Sequence, residues 1–283
     1  MDIGDYLRRA AGLLAEAGCD APRLDAEVLL AHSLSLSRAQ LYARWHESLS
    51  TAQEQECEGL LQRRLRREPL AYIVGHKEFF GLDFYVDRRV LIPRPETELL
   101  VEQAIAVARR LAPAEALRVA DVGTGSGAIA VSLALSLPEA YIYAVDASPE
   151  ALEVAAENVR RHGVAARVQL LRGDLLAALP DPVDVVVANL PYISQTEWAT
   201  LAPEIRLFEP VKALAGGPEG LDLIQQLLTQ AAGQAKPPRA ILLEIGALQG
   251  NKVLDLAHLI FGEAQASLLP DYAGLDRIVM VEL

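Results

Sequence analysis

From residue 117 onward the chain alternates short apolar runs with helix-like stretches, and this alternation constrains the fold more than any other feature. The predicted strands lie at 117–123, 141–147, 166–171, 184–189, 240–246 and 277–283. Apolar strands that alternate with helices form a mostly parallel sheet with helices on both faces. Only a short loop separates 267–269 from the last run, which predicts that these two strands are antiparallel. We therefore predict a Rossmann-like α/β fold whose ligand crevice lies at the carboxyl ends of the strands.

Three regions are distinguished along the chain. Residues 1–75 show helical periodicity throughout, and Ser50 and Gln53 match the capping-box pattern, so a small all-helical domain is predicted. Residues 76–92 mix glycine with aromatic and β-branched residues, which indicates a hairpin or linker. Residues 93–283 contain all of the predicted parallel strands and form the expected sheet domain.

The chain is acidic, with 26 Lys and Arg against 38 Asp and Glu and a formal net charge of −12. Such a surface repels a phosphate backbone unless basic residues are gathered in one place. The strongest basic run is RRLRR at 63–67. We interpret it as a solvated helix end favoured by the helix dipole, with a partner-binding edge as the alternative. Direct nucleic-acid binding is therefore disfavoured.

Cysteine and histidine usage indicates a reduced, metal-free protein. Cys19 and Cys57 are too few for a disulfide framework and are predicted to be buried thiols, and the five histidines are scattered along the chain. We expect no metal site. The N-terminus carries acids where a secretion signal needs basic residues, and no apolar run reaches about 18 residues. A cytoplasmic protein without a membrane partner is expected.

Three closely spaced glycines stand where the first predicted strand ends and a helix begins. The candidate cofactor-binding residues of this loop are Gly123, Thr124, Gly125, Ser126 and Gly127. Glycines at this position let a ligand approach the backbone amides of the helix N-terminus. The spacing G-x-G-x-G is that of adenosylmethionine enzymes, but with Ala128 it also satisfies the relaxed dinucleotide fingerprint. The loop alone leaves the cofactor open.

Further candidate cofactor-binding residues end the second and third strands. Asp146 is placed to accept hydrogen bonds from both ribose hydroxyls of a nucleoside. Asp174 is a candidate acceptor for an adenine amino group, and Leu175 beside it is a candidate to cover the ring. The structural alternative for Asp146 is a solvated residue just before a helix cap, and for Asp174 and Leu175 it is a turn residue.

The motif Asn189-Leu190-Pro191-Tyr192 directly follows the fourth strand and suits methyl transfer to an amide or exocyclic amine nitrogen. Such a nitrogen is a poor nucleophile because its lone pair is delocalised. The Asn189 oxygen and a backbone carbonyl beside Pro191 can each accept one N–H, and Tyr192 can pack on the flat face. The predicted contribution is orientation and charge stabilisation rather than strong base catalysis.

The motifs together resemble the HemK family of class I adenosylmethionine-dependent methyltransferases, which modify a protein glutamine. The resemblance rests on the segment GHKEFFGLDFYVDRRVLIPRPETE, the loop DVGTGSG, Asp146 and the Asn-x-Pro-Tyr motif, in that order. It covers essentially the whole chain, including the helical region. One departure is Leu190, which stands where the family has the first proline of Asn-Pro-Pro-Tyr.

The resemblance implies a substrate, a cofactor and roles for particular residues. The substrate is the glutamine of the Gly-Gly-Gln tripeptide in class I peptide chain release factors, the cofactor is S-adenosyl-L-methionine, and the products are N5-methylglutamine and S-adenosyl-L-homocysteine. The implied catalytic residues are Asn189, Pro191 and Tyr192. The implied substrate contacts are Asn189, Leu190, Pro191 and Tyr192, and Asn189 also touches the cofactor. Arg94 and Glu96 are expected to form a pair near the cofactor or at a helix start, and Glu244 is expected behind the site.

Three other functions stay open at this point. An exocyclic amine of nucleic acid poses the same chemical problem as a glutamine amide, and the basic run at 63–67 is the main support for such a substrate. A nicotinamide-dependent oxidoreductase would use the glycine loop but leave Asn-x-Pro-Tyr without a role. A non-catalytic adaptor would leave the intact glycines, Asp146 and Asn189 unexplained.

Overall fold

The computed structural model describes residues 1–111, 116–262 and 264–283 of the chain. These residues divide into two compact units. The helical unit comprises Met1–His76 and Ala202–Phe208, and the sheet unit comprises Lys77–Leu201 and Glu209–Leu283.

The helices and strands are numbered in chain order. The helices are α1 (Ile3–Glu16), α2 (Pro22–Leu34), α3 (Arg38–Ala43), α4 (Thr51–Leu65), α5 (Leu70–Val74), α6 (Glu96–Leu111), α7 (Ala128–Ser136), α8 (Pro149–Arg161), α9 (Gln195–Trp198), α10 (Pro203–Phe208), α11 (Asp222–Ala232) and α12 (Gly250–Phe261). The strands are β1 (His76–Phe79), β2 (Leu82–Tyr85), β3 (Arg118–Val122), β4 (Tyr141–Asp146), β5 (Val168–Arg172), β6 (Val185–Ala188), β7 (Ala240–Glu244), β8 (Gln265–Pro270) and β9 (Asp276–Glu282). Short 3₁₀ turns lie at Leu175–Ala178 and Val211–Ala213.

The helical unit packs α1 and α2 against α4 around aliphatic side chains. Helix α4 begins with the predicted capping box, in which Ser50 and Gln53 satisfy each other's backbone amides. Helix α1 buries Ile3, Leu7 and Leu14 on one face. Both predicted buried thiols are confirmed, since Cys19 and Cys57 are free and buried.

The basic run at 63–67 is not a fully solvated face, and that interpretation was wrong for Arg64. Arg64 is 6% exposed and donates to Asp25 at 2.7 Å and to Glu204 of α10 at 3.0 Å. Arg67 donates to the same Glu204 carboxylate at 2.6 Å, and Arg63 donates to Glu68 at 2.8 Å. A guanidinium can be buried only when such charge-assisted bonds offset its desolvation. The run therefore forms ion pairs within the helical unit.

The sheet unit is built on a twisted sheet whose order in the described residues is β5-β4-β3-β6-β7-β9-β8. Strands β3 to β7 pair in parallel, whereas β9 is antiparallel to both β7 and β8. Each predicted run overlaps a strand whose ends differ by at most two residues from the prediction. The predicted Rossmann-like fold and its antiparallel carboxyl-terminal pair are thus confirmed.

Apolar side chains cover both faces of this sheet. One core layer joins α6, α7 and α8 to the sheet, and the other joins α11 and α12 to it. Strands β1 and β2 form a separate hairpin. Its turn residues Phe80 and Gly81 both have positive φ, 54° and 70°, as a type I′ turn requires. None of the helices in the described ranges combines the length and apolar character that a membrane crossing needs.

Candidate active site

A cavity of about 570 Å³ opens at the carboxyl ends of β3, β4, β5 and β6. Strand order places it where β3 has β4 on one side and β6 on the other, which is the topological switch point of the sheet. Its wall includes the sequence-predicted residues Gly123, Gly125, Asp146, Asp174, Leu175, Asn189, Leu190 and Pro191. The volume lies within the range of about 300–1,000 Å³ that small-molecule sites occupy.

The glycine loop forms one wall of this cavity. Gly123, Gly125 and Gly127 have φ of 78°, 55° and 79°, a region that residues with a Cβ rarely adopt. Gly123 and Gly125 face the cavity, whereas Gly127 caps helix α7. The two remaining loop residues, Thr124 and Ser126, are buried at 6% and 4% exposure and are absent from the described cavity wall.

Behind the loop, Thr124 donates its hydroxyl to Asp121 at 2.6 Å. The Ser126 carbonyl accepts the Asn158 side-chain amide at 2.8 Å. Burial raises the pKa of Asp121 to about 7, against the hydrogen bonds from Thr124 and the Ala130 amide that lower it. The sequence predicted Thr124 and Ser126 as cofactor contacts, and in the structure the Thr124 hydroxyl and the Ser126 carbonyl bind protein groups behind the loop.

Asp146 lies at the end of β4 with both carboxylate oxygens turned toward backbone amides. Oδ2 accepts from Gly125 N and Oδ1 from Ser148 N, each at 2.9 Å. Each oxygen keeps lone-pair capacity for a further donor. The arrangement fits a nucleoside whose two ribose hydroxyls bind the Asp146 carboxylate. The same carboxylate holds the glycine loop through its bond from Gly125 N.

Asp174 and Leu175 follow β5 on the neighbouring part of the wall. Asp174 accepts the Gln226 side-chain amide at 2.8 Å through Oδ2, so one oxygen has a protein partner. Leu175 is 7% exposed and has φ of 49°. A leucine in the left-handed region costs of order 1–3 kcal/mol and is held there only by its surroundings. The backbone conformation of Leu175 is therefore part of what shapes the cavity wall.

Asn189, Leu190 and Pro191 begin where β6 ends and form another part of the cavity wall, whereas Tyr192 is absent from the described wall. Val122 pairs with Ala188 in the register of β3 and β6, so Gly123 and Asn189 emerge side by side. Leu190 is 4% exposed, and a Cβ added to Gly123 would lie 3.2 Å from its δ-methyl group. The residue that replaces the family's proline thus packs the two loops against each other.

The same loop is held from behind by residues that sequence reasoning missed. Ile193 N donates to Leu214 O at 2.9 Å, and Gly216 N donates to Ile193 O at 3.0 Å. The buried side chain of Gln249 donates to Tyr192 O at 3.0 Å. A glycine-rich stretch GGPEG at 216–220 was the available signal, because closely spaced glycines indicate close backbone approach.

Asn189 and Tyr192 are linked by hydrogen bonds through Thr97 and Glu244, which are absent from the described cavity wall. Asn189 Nδ2 donates to Thr97 Oγ1 at 3.0 Å, Thr97 Oγ1 to Glu244 Oε2 at 2.6 Å, and the Tyr192 hydroxyl to Glu244 Oε1 at 3.3 Å. Glu244 is 1% exposed. Burial raises the pKa of Glu244, and the Thr97 hydroxyl opposes that rise. Burial likewise raises the pKa of Tyr192, which keeps its phenol a donor.

The expected pairing of Arg94 with Glu96 is wrong. Arg94 donates instead to Glu209 at 2.6 Å, and the Glu209 side chain is 1% exposed. Glu209 directly precedes Pro210, Val211, Lys212 and Ala213, which line the cavity. The ion pair therefore anchors one end of a cavity wall, a long-range contact that the local spacing of Arg94 and Glu96 does not reveal.

The chain matches two family models. Residues 5–75 match the PrmC N-terminal domain, and residues 97–214 match the methyltransferase small domain. Among solved structures, the catalytic domain of hMettl16, crystallised with the MAT2A 3′UTR hairpin 6, has a TM-score of 0.58 at 17% identity. That match covers 79% of this chain and 81% of that one. That structure shows the shared fold, whereas the two family models, together with the cavity and its glycine loop, define a methyltransferase that uses S-adenosyl-L-methionine.

Full-length relatives narrow the class further. A release factor glutamine methyltransferase of Moorella thermoacetica is 49% identical over 276 residues, 97% of this chain and 95% of the relative. Another, of Cereibacter sphaeroides, is 42% identical over 283 residues, 100% of this chain and 99% of the relative. The chain belongs to the release factor glutamine methyltransferase family. The resemblance to the HemK family is thereby confirmed.

Proposed function

We propose that this protein transfers a methyl group from S-adenosyl-L-methionine to the side-chain amide nitrogen of the glutamine in the Gly-Gly-Gln motif of class I peptide chain release factors. One observation carries the proposal. Asn189, Leu190 and Pro191 lie in the wall of the same cavity as Gly125 and Asp146. A nucleoside cofactor bound to the latter pair would hold its reactive end toward an amide held by the former three.

The cofactor-binding residues in this proposal are those of the glycine loop together with Asp146, Asp174, Leu175 and Asn189. The absence of a Cβ at Gly123 and Gly125 would let the bound molecule approach the backbone closely, and the Asp146 carboxylate would accept its ribose hydroxyls. Bound S-adenosyl-L-methionine supplies a methyl group on a positively charged sulfur and leaves as S-adenosyl-L-homocysteine.

The acceptor-binding residues are Asn189, Leu190, Pro191 and Tyr192. A glutamine amide is a weak nucleophile because its nitrogen lone pair is delocalised into the carbonyl. The Asn189 Oδ1 and a backbone carbonyl beside Pro191 each accept one N–H, which aims the lone pair at the methyl carbon. The nitrogen–carbon bond forms as the carbon–sulfur bond breaks, and one amide proton leaves to solvent. Orientation and electrostatic stabilisation are the contributions of the protein.

The helical region at 1–75 is proposed to bind the release factor away from the reacting glutamine. A Gly-Gly-Gln loop offers little contact area, so affinity for a whole protein requires contacts elsewhere. Hydrogen exchange of the full-length enzyme with and without release factor tests this role. Slowed exchange of amides in 1–75 is expected, and unchanged exchange throughout that region contradicts it.

A nucleic-acid amine is the second candidate acceptor, and the charge arrangement disfavours it. Arg63, Arg64 and Arg67, the best basic feature of the sequence, are engaged with carboxylates of the same unit. The overall charge of −12 adds repulsion from phosphates. A cytoplasmic location is part of the proposal, because release factors work with the ribosome there.

The deciding experiment is the mass of the Gly-Gly-Gln tryptic peptide after incubation of the purified enzyme, S-adenosyl-L-methionine and an unmethylated release factor. We expect a gain of one methyl on the glutamine with the wild type and none with Asn189→Ala. Calorimetry with S-adenosyl-L-homocysteine serves as the binding control for both proteins. If the enzyme binds S-adenosyl-L-homocysteine but leaves the peptide unmodified, the proposed substrate is wrong. If Asn189→Ala still methylates the peptide, the proposed mechanism is wrong.

A further inference from the structure

The buried hydrogen-bond chain from Asn189 through Thr97 to Glu244 has a definite direction. Thr97 is the second residue of α6, Glu244 ends β7, and Asn189 follows β6. Their polar atoms are 3.0 Å apart from Asn189 to Thr97 and 2.6 Å apart from Thr97 to Glu244. Thr97 and Glu244 are 5% and 1% exposed, so water does not compete for these bonds.

The direction follows from the inventory of donors and acceptors. The two Glu244 oxygens accept from the hydroxyls of Thr97 and Tyr192, at 2.6 Å and 3.3 Å, so the single hydroxyl hydrogen of Thr97 is given to Glu244. The Thr97 oxygen can then only accept from its other neighbour. Asn189 must therefore turn its NH2 group, Nδ2, toward Thr97, and its oxygen, Oδ1, lies on the other branch of the carboxamide.

This selection matters because an asparagine carboxamide has nearly the same shape in its two orientations. Packing alone discriminates weakly between oxygen and NH2, so hydrogen-bond partners decide the orientation. An Asn189 turned the other way would present two N–H groups to the N–H groups of an acceptor amide. Such an orientation repels the substrate that the correct one binds.

We propose that Thr97 and Glu244 are positioning residues that fix the Asn189 carboxamide with its oxygen toward the methyl-accepting nitrogen. This inference rests on the proposed function of Asn189. Glu244 also accepts the Tyr192 hydroxyl at 3.3 Å, so one carboxylate positions both ends of the Asn-x-Pro-Tyr loop. Thr97 and Glu244 act through Asn189 and Tyr192 and need not touch either substrate.

The matched pair Thr97→Val and Thr97→Ser separates positioning from packing. Valine keeps the shape of threonine but lacks the hydroxyl, whereas serine keeps the hydroxyl and loses the methyl group. We expect Thr97→Val to lower kcat for release factor methylation by about 10- to 100-fold, as misplacement of a reacting group does. Thr97→Ser is expected to restore most of that kcat. If Thr97 acted only by packing, Thr97→Val would retain a higher kcat than Thr97→Ser. That result would overturn the inference.

The second variant is Glu244→Gln, which keeps the side-chain shape. Its amide can donate to Thr97, and Thr97 then donates toward Asn189 and favours the opposite carboxamide orientation. We expect kcat to fall about tenfold or more while the dissociation constant of S-adenosyl-L-homocysteine changes less than about threefold. A Glu244→Gln enzyme with wild-type kcat would remove Glu244 from the proposal.

Thermal melting and S-adenosyl-L-homocysteine calorimetry on each variant establish that it is folded. Asn189→Ala, measured under the same conditions, distinguishes a failure of the positioning role of Thr97 from a failure of the role proposed for Asn189. If Asn189→Ala abolishes turnover while folded Thr97→Val retains it, the positioning inference fails and the proposed function stands. If Asn189→Ala retains turnover, the role of Asn189 and the positioning inference fail together, whereas the proposed function fails only if the wild type leaves the Gly-Gly-Gln peptide unmodified.

Discussion

Gly216 offers the sharpest test of how the Asn-x-Pro-Tyr loop is held. Its backbone lies against the loop, where Gly216 N donates to Ile193 O at 3.0 Å. A Cβ at this position would abut the Pro191 carbonyl oxygen and lie 2.8 Å from Tyr192 Cα. An ordinary contact begins near 3.4 Å, so Gly216→Ala must displace the loop backbone by at least about 0.6 Å.

The expected consequence is a loss of rate rather than a loss of cofactor. A misplacement of about 1 Å at a reacting centre can cost about 100-fold in rate, so a shift of about 0.6 Å or more is expected to lower kcat between 10- and 100-fold. Gly216 is absent from the described cavity wall. The dissociation constant of S-adenosyl-L-homocysteine should therefore change by less than about threefold in calorimetry.

The rate of methylation is measured by peptide mass at saturating S-adenosyl-L-methionine and release factor. Gly59→Ala is the matched control, because Gly59 lies inside α4 with no atom within 4 Å of an added Cβ. It should leave kcat unchanged and raise the free energy of unfolding by roughly 0.5–1 kcal/mol. A folded Gly216→Ala enzyme with kcat within threefold of the wild type would refute this account of the loop.

Three further substitutions test other parts of the sheet unit. In Asp146→Asn, the side-chain NH2 must face the backbone amide of either Gly125 or Ser148, so one of these two hydrogen bonds is lost. Calorimetry should show S-adenosyl-L-homocysteine binding at least about 100-fold weaker, since bonds to charged groups are worth about 1.5–3 kcal/mol each; unchanged affinity would exclude the assigned role. Leu190→Ala should cost roughly 2–5 kcal/mol in urea unfolding because Leu190 is 4% exposed, and a cost below about 1 kcal/mol would contradict its packing role. Burial alone would raise the pKa of Asp87, but hydrogen bonds from Arg89 lower it from 3.8 to about 2. The stabilisation is present above the unfolded pKa and is lost as pH falls, so from pH 5 to 2 the wild type should lose about 2 kcal/mol more than Asp87→Asn.

The strand pattern and the local caps could be predicted because each depends on residues close in sequence. The run DVVVAN at 184–189 is apolar throughout, as a strand buried on both faces must be, and β6 is buried at every position. Ser50 and Gln53 form their capping box within one turn. Glycine spacing likewise placed the loop of Gly123 and Gly125 at the cavity, because positive φ there is a local requirement.

The supporting contacts of the site could not be predicted, because they join residues far apart in sequence. Thr97 lies 92 residues from Asn189 and 147 from Glu244. No periodicity or spacing in the sequence connects such positions. They meet only because α6 packs against the ends of β6 and β7. The misinterpretation of Arg64 has the same origin. A basic run at a helix end looks solvated until the distant Asp25 and Glu204 are placed beside it.

The sheet register explains why the two loops of the site depend on each other. Strands β3 and β6 are parallel neighbours that end together at Val122 and Ala188, so the cofactor loop and the acceptor loop start side by side. A Cβ at Gly123 would lie 3.2 Å from the Leu190 δ-methyl group, closer than an ordinary contact, so the two loops are closely packed. In the proposed function, Asn189 therefore contacts both cofactor and acceptor without a long side chain. What the register does not determine is which end of its carboxamide faces the acceptor, and a buried hydroxyl held by a carboxylate provides that selection.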